Sequence, residues 1–117
     1  MENMHWDLIV IYEKYFKFIE TDHGFEIIHS QYDRFAFGNF IIEFQKDNNY
    51  IRIISDRSQI FIEIKKSDSD WIHIDKIYEK NGILFSRYNV TNGLWDGYDI
   101  KYQSKDLKDY FDLLFVD

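Results

Sequence analysis

The chain has no cysteine, so it can form neither a disulfide, nor a thiolate metal site, nor a cysteine nucleophile. Proline is absent as well, and the five glycines lie scattered at positions 24, 38, 82, 93 and 97. Turns therefore fall to Gly, Asn, Asp and Ser, and no glycine-rich loop of the GxGxxG or GxxxxGK type exists to cradle a phosphate. GxSxG, HExxH and EF-hand patterns are also missing, which leaves hydrolase and metal-site readings without a motif. No apolar stretch is long enough to cross a bilayer. The opening residues Met1-Glu2-Asn3-Met4-His5-Trp6-Asp7 lack the basic character of a secretory leader, so a cytoplasmic location is expected. Basic residues are outnumbered 14 to 21, giving a formal charge of -7 that argues against general affinity for nucleic acid or an anionic membrane.

What is present reads as one folded domain spanning residues 1–117, with 45% hydrophobic and 30% charged residues and no low-complexity tract. Leu8, Tyr12, Tyr15, Phe16 and Ile19 fall at helical spacing, with Glu13, Lys14 and Lys17 on the other side. The β-branched run Ile9-Val10-Ile11 opposes that helix mildly. Residues 25–30, 39–45, 50–55 and 59–64 read as strands, the last three by clear alternation. Tight connections at Lys46-Asp47-Asn48-Asn49 and Asp56-Arg57-Ser58 require antiparallel neighbours. Several strands are apolar on both faces, notably at Ile53-Ile54 and Ile60-Phe61-Ile62, which predicts that helices cover much of the second face. Ile74, Ile77 and Tyr78 mark a short central helix stopped by Asn81-Gly82. A closing helix is expected from an N-cap at Ser104, with Asp106 in its first turn and an apolar face of Leu107, Tyr110, Phe111, Leu114 and Phe115. Residues 83–102 carry the turn signals Asn92-Gly93 and Asp96-Gly97 and fit either a hairpin or an irregular loop. The fold class is therefore α+β, an antiparallel meander of four or more strands packed against N-terminal, short central and C-terminal helices.

Chemistry-bearing clusters are sparse. His73 with Asp75, or His23 with His29, are the pairs to test for a metal, yet neither supplies three convergent ligands, and no metal or cofactor is expected. With 21 acidic residues, close carboxylate pairs arise by chance and do not point to acid/base catalysis. Asp56-Arg57-Ser58-Gln59 fits a structural turn in which the aspartate bonds backbone and the arginine reaches a carboxylate. Trp71 is expected to pack on the sheet.

Aromatic residues make up 20% of the chain. Most belong in a core, but Tyr88, Trp95, Tyr98 and Tyr102 sit among Gly, Asn and Asp in a region without obvious burial. Such residues either fold back over the sheet or present the side-chain types that dominate interface hot spots. Asp68, Asp70, Asp96 and Asp99 flank the same territory. Asp106, Asp109 and Asp112 fit a solvated helix face. An anionic surface with exposed tyrosines suits capture of a basic partner.

The order of an N-terminal helix, Phe37-Gly38-Asn39-Phe40 opening a strand, Ile51-Arg52-Ile53, the turn Asp56-Arg57-Ser58-Gln59-Ile60-Phe61-Ile62, Trp71 with Ile74 and Ile77, and a final Leu114-Phe115 resembles a group of small bacterial immunity proteins. These belong to polymorphic-toxin and contact-dependent inhibition loci. The pattern usually carries glycine where Ser58 stands, and the resemblance does not extend over residues 83–103. It implies an α+β fold, no catalysis and one-to-one blocking of a cognate protein toxin. A nuclease, whose phosphate-holding site must be basic, is a toxin that an acidic inhibitor would suit, and the chain is expected to be a monomer or weak homodimer. The partner-binding residues expected on this reading are Tyr88, Trp95, Asp96, Tyr98, Asp99, Tyr102, Asp68 and Asp70. The alternative is a small-ligand or regulatory module with its pocket between sheet and helices.

Overall fold

In the computed structural model, residues 4–33, 35, 38–57, 59–83, 90–91, 94–95 and 100–116 are described, with 90–91 and 94–95 described by backbone alone. Helix α1 (Trp6–Tyr15) and a single turn α2 (Phe18–Thr21) precede five strands: β1 (Glu26–Asp33), β2 (Asn39–Lys46), β3 (Asn49–Asp56), β4 (Gln59–Lys66) and β5 (Ile72–His73). Helix α3 (Ile74–Lys80), a two-stranded ribbon of β6 (Val90–Thr91) and β7 (Leu94–Trp95), helix α4 (Ile100–Asp109) and a 3₁₀ turn (Phe111–Leu113) complete the chain. The five long-sheet strands lie in sequence order and each neighbouring pair is antiparallel. The expected α+β meander with helices at both ends and in the middle is therefore the architecture of this protein.

Alternation decides which side of the sheet is dry. Phe40, Ile42 and Phe44 of β2, Ile51 and Ile53 of β3, and Ile60, Ile62 and Ile64 of β4 are buried on one face. Leu8, Tyr12, Phe16, Ile19, Ile74, Tyr78, Leu107, Phe111 and Leu114 from the helical segments join them in one core cluster. The other face carries Ile41, Glu43, Gln45, Tyr50, Arg52, Ile54, Phe61, Glu63 and Lys65, all half-exposed. The expected helical cover of this second face is corrected: the helices of the described residues pack into the first face. The second face instead offsets its apolar residues with long charged side chains, whose stems shield apolar neighbours while their heads stay wet.

Two-residue loops set the register of the central hairpins, with Lys46 opposite Asn49 and Asp56 opposite Gln59. Asp47 and Arg57 take φ of 54° and 51° there, the left-handed backbone that primed hairpin turns demand. The Arg57 N–H donates to Asn39 Oδ1 at 2.8 Å, so Asn39 braces this turn, while the backbone that Asp56 was expected to bond, at Ser58, lies outside the described residues. The region of open interpretation contains an antiparallel ribbon, Thr91 opposite Leu94 and Val90 opposite Trp95.

The closing helix also differs from expectation. Ser104 lies inside α4, buried, and its Oγ donates back to the Lys101 carbonyl at 3.1 Å instead of capping a first turn. Asp106 is correspondingly mid-helix and buried, not on a solvated face, whereas Asp109 is exposed and pairs with Lys105 at 2.8 Å. The apolar stripe that suggested one helix runs past Asp109 into the 3₁₀ turn. Periodicity carried the stripe correctly but does not distinguish an α-helix from a tightened continuation of it.

Candidate functional site

The half-exposed sheet face is built from registered rows. Opposite Gln45 stands Tyr50, and opposite Tyr50 stands Lys65. The next row crosses all five strands as His29, Glu43, Arg52, Glu63 and His73. Acidic residues thus alternate with a central arginine and terminal histidines, an arrangement favourable for cross-strand pairs. A third row is apolar at Ile41, Ile54 and Phe61.

Arg52 is the fixed point of the face. Its Nε and Nη2 donate to Glu63 Oε1 at 2.9 and 2.6 Å, with both side chains about three-quarters withdrawn from solvent. Its guanidinium carbon lies 4.1 Å from the centroid of the Trp71 ring, a cation–π contact worth about 1 kcal/mol. Tyr50 meets Trp71 edge-on at 6.4 Å, and Lys65 Nζ lies 5.6 and 5.9 Å from the Tyr50 and Trp71 centroids. Gln45 Nε2 donates to Tyr50 Oη at 3.1 Å and to the Asp47 carbonyl at 3.0 Å, which orients the phenol. Phe61 stands edge-on to His73 at 6.1 Å. The Arg52 and Tyr50 planes are therefore held in fixed positions on a strand, and Trp71 sits against them from the end of the turn that leads into β5. Trp71 does pack on the sheet, but on its wetter face.

The residues named from sequence distribute differently. Asp68 and Asp70 are exposed in the turn between β4 and β5, immediately before Trp71. Ser69 shapes that turn by donating through Oγ to the Lys66 carbonyl at 2.6 Å, and Ser67 takes a φ of 44°. Tyr102 is half-buried on α4, with Lys101 Nζ 5.8 Å from its ring centroid. Trp95 lies in β7, where only its backbone is described; Tyr88, Asp96, Tyr98 and Asp99 lie outside the described residues. The two acidic residues, but not Tyr102, border the Trp71 cluster along the chain. Tyr50, Arg52, Lys65 and Glu63 were not singled out from sequence. The signal was available in strand parity, since Tyr50-x-Arg52-x-Ile54 and Phe61-x-Glu63-x-Lys65 must share faces.

Neither histidine pair builds a metal centre. His23 stacks on Phe111 with centroids 3.6 Å apart, His29 is exposed on β1, and His73 Nδ1 accepts the Asp75 N–H at 3.2 Å as the N-cap of α3. Among the described residues no group of three or more histidine, aspartate or glutamate side chains converges to hold a metal ion, and no helix is long and apolar enough to cross a membrane.

No family model, curated protein or solved structure matches this chain. A second concavity lies on the opposite side of β4, between β5, α3 and the C-terminal turn. This groove has a volume of about 690 Å³ and an apolar lining of Ile64, Ile72, Ile77, Leu113, Leu114 and Val116, with Lys66, Lys76 and Lys80 as its charged members among the described residues.

Proposed function

We propose that this chain is a non-catalytic binding protein, an immunity protein that neutralises a cognate bacterial toxin by stoichiometric association. Its partner docks on the half-exposed face of the sheet. The observation that carries this reading is the Trp71–Arg52–Tyr50 cluster, three residue types enriched at interface hot spots, in which Glu63 holds Arg52 and Gln45 orients Tyr50. Preorganised side chains lose little freedom on binding, which favours tight association. The net charge of -7 and the exposed Asp68 and Asp70 beside Trp71 suit a basic partner such as a nuclease, whose active site must hold phosphates.

The test begins with capture of partners from source cells by the tagged chain at low and at high salt, followed by calorimetry on the purified pair. Trp71→Ala and Arg52→Ala are each expected to weaken binding at least tenfold, about 1.4 kcal/mol or more. Because the two side chains touch, the double variant should lose less than the sum. Full affinity in both single variants would move the interface away from this face. Insensitivity of binding to salt would remove the electrostatic component.

The groove favours a second reading, a small-ligand module with a pocket between sheet and helices. Its volume of about 690 Å³ falls within the range of small-molecule sites, and its lining is mainly apolar.

A further inference from the structure

We propose that the groove between β5, α3 and the C-terminal turn binds a free single-chain amphipathic carboxylate. The alkyl chain lies against Ile72, Ile77 and Leu113, and the head group lies at Lys76 and Lys80. This assignment rests on the pocket reading above and gives it a ligand class.

Charge complementarity selects the ligand. The chain has an excess of seven acidic residues, yet among the described residues the groove is lined by three lysines and by no aspartate or glutamate. Lys76 and Lys80 are four residues apart on α3, so their like charges are neighbours and repel unless an anion lies between them. Both are exposed, and neither has a carboxylate at ion-pair distance among the described residues.

The other polar groups of the lining are already engaged. Lys66 Nζ donates to the Val116 carbonyl at 2.8 Å and holds the C-terminal segment as one wall. Asn81 Nδ2 donates to the Ile77 carbonyl at 2.8 Å, and Ser69 Oγ to the Lys66 carbonyl at 2.6 Å. The charged donors left for a ligand are the ammonium groups of Lys76 and Lys80, which fit a compact anion better than a polyol or a base. Ile72 and Val116 remain 41% and 63% exposed at the rim, apolar surface that an alkyl chain would cover. The concave shape fits one free chain better than the surface of a bilayer, which apolar groups must penetrate to engage.

Calorimetry and amide-resolved NMR with sodium dodecanoate below its micellar concentration test the assignment, with dodecanol and dodecyltrimethylammonium as matched probes. Dodecanoate is expected to saturate one site and shift amides around the groove. In the double variant Lys76→Gln/Lys80→Gln its affinity should fall about tenfold while that of dodecanol is unchanged. Both positions are exposed on a helix, and far-UV circular dichroism checks that the variant is folded. Equal affinity for the three probes, or undiminished dodecanoate binding in the variant, would overturn the carboxylate and leave the pocket reading standing. No saturable binding of any probe would overturn both. Association with phosphatidylglycerol vesicles without binding of dodecanoate would replace the free ligand with a membrane surface and overturn the proposal.

Discussion

His5 and His73 hold the same post at the starts of two helices. Each is followed two residues later by an aspartate, and each accepts that residue's backbone N–H through Nδ1, at 3.1 Å from Asp7 and 3.2 Å from Asp75. A neutral imidazole with its proton on Nε2 thus does what Asn, Asp or Ser ordinarily does at an N-cap. The sequence placed His73 beside Asp75 without revealing the cap, because spacing alone does not distinguish a His-x-Asp cap from two potential ligands. His73→Ala is expected to lower unfolding free energy by about 1 kcal/mol in urea titration. His73→Asn restores the cap while removing the ring next to Phe61, so it should recover more than half of that loss. Equal losses in both variants would assign the role of His73 to its ring instead of its acceptor nitrogen.

The meander was legible at the level of elements because alternation, tight connections and turn residues all agree on it. Which face the helices cover was not legible. Ile53 and Ile54, or Ile60, Phe61 and Ile62, offer apolar side chains to both sides, and only tertiary packing chooses between them. The half-exposed face followed from that choice, so Arg52 and Tyr50 stayed hidden in plain alternation. The start of α4 was missed for a different reason: between Ile100 and Leu107 the buried face carries the polar Gln103 and Ser104, and Ser104 has the side chain of a good cap. The hairpin at Arg57 gives an element-scale prediction. A left-handed backbone costs an ordinary L-residue roughly 1 kcal/mol, and asparagine tolerates it better. Arg57→Asn should therefore stabilise the protein by about 0.5 kcal/mol. Asn39→Ala should destabilise it by about 1 kcal/mol because the Arg57 N–H loses its acceptor. Denaturation midpoints of the two variants moving in the same direction would contradict this account of the turn.

For the whole molecule, the buried phenols tie stability to alkaline pH. Burial, chiefly, pushes Tyr12 above its ordinary value of 10.0, and its hydroxyl donates to Glu20, whose nearby charge adds to the shift. Tyr78 is raised by burial first and by the charge of Asp106 second. Lys105 is also raised, through its hydrogen bond to Asp109. All three shifts have the same sign: above the ordinary values the folded chain keeps protons that the unfolded chain releases. Stability is consequently indifferent to the two phenols below about pH 9 and falls as pH rises beyond 10, by about 1.4 kcal/mol per pH unit for each phenol still protonated in the fold. The Lys105 contribution is likewise present at lower pH and lost as pH rises through its folded value. Urea titrations from pH 7 to pH 11.5 should therefore show a plateau followed by a decline. Tyr12→Phe removes one of the two phenolic protons from the balance, so its decline should be shallower by about 1.4 kcal/mol per pH unit even though it is less stable at neutral pH. A decline as steep in Tyr12→Phe as in the parent would mean that general repulsion among the excess negative charges, and not retention of this buried proton, governs alkaline unfolding.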